Sequence, residues 1–112
     1  MQASLRLIFP KDRHHDVQTS LQGFLSLIGT EPYALEEDDY WKIPNHIEWT
    51  AIFDTSSYNV SQIKETLLSA FSIPPEALTE CRSHSSVEMA KCSHPNAATY
   101  PDCLFLVLYI SL

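Results

Sequence analysis

The sequence predicts an α+β domain: a mainly antiparallel sheet with two helices on one face. Two apolar stripes carry this reading, Val17, Leu21, Phe24, Leu25 and Ile28, then Ile63, Leu67, Ala70 and Phe71. Both recur at the spacing of a helix face packed on a core. Around them, residues 4–9, 46–54 and 103–112 alternate or run apolar over strand-like lengths. With 112 residues, 45% of them hydrophobic and 19% charged, the chain is expected to form one domain over residues 1–112.

Residues 4–9 place Leu5, Leu7 and Phe9 on one side and Ser4, Arg6 and Ile8 on the other. Pro10 stops this strand because it has no backbone donor. The first helix follows, with Asp12 and Asp16 near its positive N-terminal end. Gly29 is placed to cap its C-terminus in the left-handed conformation, with Pro32 just beyond. Residues 46–54 then alternate cleanly, Ile47, Trp49, Ala51 and Phe53 inward and Glu48, Thr50 and Asp54 outward. Residues 40–43 are the expected partner strand of a hairpin turning at Pro44-Asn45, with a start as early as Tyr33 as its other reading.

Asn59 is positioned to cap the second helix, with Gln62 at the reciprocal capping-box position. Pro74-Pro75 ends that helix. Residues 80–90 read as one weaker strand, with Cys81, Ser83, Ser85, Val87 and Met89 on one face and the last two as core. Residues 92–102 contain Pro95 and Pro101 and read as a loop. The apolar run that closes the chain is expected as a central strand. The predicted order is β-α-β-β-α-β-β, either ferredoxin-like or a duplicated αββ unit. Residues 20–28 and 66–73 resemble each other, as a duplicated unit requires, but two amphipathic helices built of Leu, Ser and Phe resemble each other by default, and a true repeat should recur over the whole unit.

Fourteen acids against seven bases give a formal charge of −7, which argues against direct binding to nucleic acid. Two glycines exclude a Gly-rich phosphate loop. The N-terminal residues do not read as a secretory signal, and the longest apolar run is far shorter than the ~20 residues of a membrane-spanning helix. A soluble, cytoplasmic protein is expected, without a membrane partner. Cys81, Cys92 and Cys103 do not form closed disulfide pairs, and with His84 and His94 they lack the paired spacing of a zinc site. No metal or cofactor is expected. A Cys92–His84 nucleophile pair would need a general base within hydrogen-bond reach and an oxyanion hole, neither of which the sequence shows, and His14, His15 and His46 read as surface or turn residues. No enzymatic activity is expected.

The most unusual segment runs through Glu36, Glu37, Asp38, Asp39, Tyr40 and Trp41. Residues 31–54 hold seven of the fourteen acids and one base, Lys42. A contiguous exposed run lacks the separated environments that a carboxylate acid/base pair requires, and it does not follow the spacing of a calcium loop. A docking surface for a basic partner fits better: carboxylates steer and adjacent aromatics anchor. The candidate partner-binding residues are therefore Glu36, Glu37, Asp38, Asp39, Tyr40, Trp41 and Glu48. A solvated segment with Trp41 entering the core is the plainer reading of the same residues.

A small, acidic, α+β chain with this acidic-aromatic segment and no catalytic motif resembles the immunity proteins of bacterial toxin systems, such as those of contact-dependent growth inhibition. The resemblance is one of general character over the full length. It implies a cytoplasmic protein that binds the toxic domain of its cognate, often a basic nuclease, and blocks its active site. A small ligand-binding or regulatory module that dimerises through its sheet is the other expectation for this fold class.

Overall fold

The structure, a computed structural model, describes residues 1–32, 34–55, 58–91 and 103–112. Their order is β1 (Gln2–Pro10), α1 (His14–Leu27), β2 (Ala34–Asp39), β3 (His46–Asp54), α2 (Val60–Ala70), β4 (Thr79–Arg82), β5 (Ser86–Lys91) and β6 (Phe105–Ser111). All strand pairs are antiparallel, in a single sheet ordered β2-β3-β1-β6-β5-β4. The α+β class is as the sequence predicts.

Alternation builds the core. The registers align Ala51, Leu5, Leu108 and Met89 in one row across four strands, and Phe53, Ala3, Ile110 and Val87 in another. All eight side chains are buried, because α1 and α2 lay their stripes over this face. Phe24 ties the layers together, edge-on to Phe53 at 5.8 Å and tilted against Phe71 at 6.3 Å. A third row runs Trp49, Leu7, Leu106 and ends at Lys91, a buried ammonium that donates to the Leu104 carbonyl at 3.0 Å. That hydrogen bond offsets part of the penalty for removing the charge from water.

Both helix ends follow local chemistry. Asn59 and Gln62 form the reciprocal capping box that their spacing predicts. Gly29 adopts φ +66 after α1, and Thr30 N–H reaches back to the Leu25 carbonyl at 3.1 Å. After α2 the equivalent left-handed residue is Ser72, with φ +53, and Ile73 N–H closes the turn on Leu68 at 2.9 Å. A non-glycine residue is penalised in this conformation. Ser72→Gly is therefore expected to stabilise the fold by about 0.5–1 kcal/mol, after allowing for the extra freedom of glycine in the unfolded chain. A higher urea midpoint at unchanged slope is the expected readout; a lower midpoint would show that Ser72 contributes more than its backbone geometry.

Two expectations need correction. Residues 80–90 are two strands rather than one, so the described order gains a strand between α2 and the end of the chain. Ser83 causes the break: its Oγ accepts from the N–H groups of Ser85 and Ser86, at 3.2 and 3.1 Å, holding a tight turn. Consequently Cys81 pairs opposite Glu88 and shares its face, away from Val87 and Met89. The hairpin strand expected at residues 40–43 lies at β2 instead, so the acidic run is itself the edge strand and residues 40–45 are the turn. An edge strand tolerates consecutive charges because neither of its faces must be fully covered. Residues 92–102, expected as a loop, lie outside the described residues.

The strand order can be compared with both alternatives. β1, α1, β2, β3, α2 and β6 follow the ferredoxin-like split pattern, with the β4–β5 hairpin added beyond β6. Equally, each helix is followed by a hairpin, β2–β3 or β4–β5, at one outer flank of the central β1–β6 pair. The sheet face opposite the helices presents Arg6, Ile52, Val107 and Tyr109, and among the described residues the turn at 40–45 covers it near Ile8 and Phe105.

Candidate functional site

Strand alternation divides the acidic run. Glu37 pairs opposite Trp49, and Asp39 opposite Ile47, which places both on the helix-bearing side. Glu36 pairs opposite Thr50, and Asp38 opposite Glu48, on the open side. The four carboxylates therefore do not share one environment, contrary to the reading of a uniform solvated run.

Glu37 is held by two aromatic donors. Trp49 Nε1 donates to its Oε1 at 2.5 Å, and His14 Nε2 approaches the same oxygen at 2.6 Å. His14 stacks edge-on against Trp49 at 4.9 Å, and Trp49 against Phe9 at 5.1 Å. Asp39 is paired with Lys11 at 3.0 Å. These contacts pin the edge strand to the start of α1. The Trp49 hydrogen bond, reinforced by His14, lowers the Glu37 pKa below the ordinary carboxyl value.

The sign of the resulting linkage is definite. A carboxyl with a depressed folded pKa contributes stability that is fully present above its unfolded value and is lost as pH falls through the folded one. Glu37→Gln is expected to lose stability at neutral pH and to flatten the decline in melting temperature below roughly pH 4. Because Glu37 is half-exposed, solvent screening keeps the effect modest. Parallel wild-type and variant acid profiles would place the linkage elsewhere.

The side chains of Glu36 and Asp38 make no hydrogen bond or ion pair among the described residues. Asp38 faces Glu48 directly, an unfavourable like-charge pair, and Arg6 from β1 binds Glu48 on its other side. The aromatic pair also separates. Trp41 stands 84% exposed on the turn, so the expectation that it enters the core is not met. Lys42 Nζ sits 5.1 Å from its ring centroid. Tyr40 lies in the turn rather than on a strand face, half-buried against a cleft on the open side of the sheet. Its N–H donates to the His46 carbonyl at 2.9 Å and closes the turn.

The structure thus places Glu36, Asp38 and Glu48 on the open side of the β2–β3 hairpin and Tyr40 and Trp41 in its turn, while Glu37 and Asp39, on the helix-bearing side, take structural partners. His14 and Trp49 were not legible as partners of Glu37, because His14 lies 23 residues away in sequence and the link depends on strand register. Cys81 and His84 are exposed, and Cys103 is buried. Burial raises the Cys103 thiol pKa, with the nearby Arg13 charge opposing the shift. Cys92 and His94 lie outside the described residues, and among the described residues no three His, Cys, Asp or Glu side chains gather as metal ligands. No described helix is long and apolar enough to cross a membrane. The chain matches no protein-family model, and no curated protein is significantly similar to it.

Proposed function

We propose that this protein is an immunity protein of the toxin-neutralising type: a cytoplasmic, stoichiometric inhibitor that docks the basic surface of a cognate toxin domain against its β2–β3 edge. The observation that carries the reading is Trp41, a large aromatic at 84% exposure two residues beyond an acidic edge strand. An exposed tryptophan has apolar area to lose on contact, and carboxylates without internal partners supply long-range attraction without an ion pair to break. The same surface repels phosphate, which disfavours direct nucleic-acid contact. In this reading Glu36 and Asp38 steer, Trp41 anchors, Tyr40 and Glu48 shape the adjoining surface, and Glu37 and Asp39 hold the strand in place.

The test is to co-express the chain with the product of the adjacent gene and follow complex formation across salt concentrations. The double variant Glu36→Gln/Asp38→Asn is expected to melt no lower than wild type, because it relieves the Asp38–Glu48 repulsion. At low salt it should associate roughly 3–10-fold more slowly, with a shallower salt dependence. Unchanged association kinetics in a folded variant would remove the edge from the interface. Absence of binding to the neighbouring gene product would count against the immunity reading.

A further inference from the structure

The open face of the sheet carries a cleft of about 290 Å³ where residues 40–45 fold over the ends of β1 and β6. Ile8 and Phe105 provide its sheet side, and Ile43 provides an apolar wall from the turn. Asn45, in the left-handed region at φ +60, turns the chain back, and Lys11 N–H fastens the Asn45 carbonyl at 2.8 Å. The cleft is therefore anchored by backbone bonds at both ends of the turn rather than by side chains alone.

Its polar lining runs against the charge of the chain. Arg6, Lys42 and His46 all line it, although the protein has a formal charge of −7. Arg6 is bound to Glu48. His46 Nδ1 donates to the Pro44 carbonyl at 3.0 Å, which fixes the ring. Lys42 is different from every other lysine and arginine of the chain. Lys11, Arg13, Lys64, Arg82 and Arg6 have carboxylate partners, and Lys91 has a carbonyl. Lys42 has no oxygen partner among the described residues and rests on the Trp41 ring.

A pre-built cleft with apolar walls, an unpaired ammonium, a guanidinium held by Glu48 and an imidazole in its lining defines a ligand chemistry. We propose that this cleft binds a small organic carboxylate with a flat, apolar body. The body lies against Ile8, Phe105 and Ile43, and the carboxylate takes the Lys42 ammonium. The volume lies near the lower end for small-molecule sites, typically ~300–1,000 Å³, which suits a one- or two-ring acid. A divalent cation is disfavoured by the positive lining. The cleft borders the proposed docking edge through Tyr40 and the Lys42–Trp41 contact, but its ligand is read without any partner present, so either proposal stands if the other fails.

The experiment uses the full chain and naphthoate as the probe, with naphthamide as its neutral isostere, in NMR titrations that follow the Ile8 and Ile43 methyl groups. Naphthoate should give saturable shifts at both methyls with a Kd on the order of 1 mM, as expected for a ligand of its size. Naphthamide should bind at least about 5-fold more weakly. Lys42→Gln, an exposed change that leaves the core intact, should erase that preference while naphthamide binding stays constant. Ile43→Glu, once shown by its methyl spectrum to be folded, should abolish naphthoate binding through like charge in the cleft wall. Equal binding of acid and amide, or a preference that survives Lys42→Gln, overturns the proposal. So does a lack of saturable shifts at Ile8 and Ile43.

Discussion

Leu67→Asp is expected to leave the chain unfolded at room temperature. Leu67 is fully buried on α2, within the cluster formed by both helical stripes and the inward rows of the sheet. An aspartate there either carries an ion without a partner or takes up a proton at a further expense in free energy. Leu67→Ala isolates the packing contribution and should lose about 2–5 kcal/mol. The aspartate adds desolvation to that loss, against a total stability of roughly 5–15 kcal/mol for a domain of ordinary size. Leu21→Asp, from the facing stripe of α1, should act in the same way. Far-UV circular dichroism and thermal melts decide the matter. Near-wild-type melting of either aspartate variant would mean that its stripe does not face the core.

Trp41→Ala should have the opposite profile, a large effect on binding and almost none on stability. At 84% exposure the indole contributes little buried area to the fold, and its contact with Lys42 is a surface one. The melting temperature should therefore stay close to that of wild type. If Trp41 anchors a partner, truncation should weaken the complex by about 2 kcal/mol or more, roughly 30-fold, mainly through faster dissociation. Tyr40 is the poorer probe, because it is half-buried against the cleft and its loss disturbs the turn. A Trp41→Ala variant that binds as wild type does would place the anchor elsewhere. A large drop in its melting temperature would show that the indole supports the turn.

The elements that were legible in sequence share one property: their signal is local. Residues 46–54 were found to the residue because a strand with one covered face alternates every second position. Asn59 and Gln62 announced the capping box because both partners lie within one helical turn. Gly29 marked the end of α1 because few other residues accept its backbone angle. Where the same local job fell to a less specialised residue, at Ser72, no signal announced it.

The features that escaped sequence reading arise between segments distant in the chain. β2 has no apolar alternation because an edge strand with two largely exposed faces needs none, so its charges masked its structure. No local signal marks Lys91 as buried; the register against Leu106 and the Leu104 carbonyl make it a buried donor. The division of the acidic run has the same origin. Composition established that four carboxylates stand together, but each carboxylate's direction depends on which residue of β3 it faces. Pairing with Trp49 sends Glu37 toward His14, and pairing with Glu48 leaves Asp38 facing the open side. Burial patterns are written into the sequence because water acts on each residue wherever its partners lie. The identity of those partners is set when strands separated along the chain choose a register, and that choice emerges only on folding.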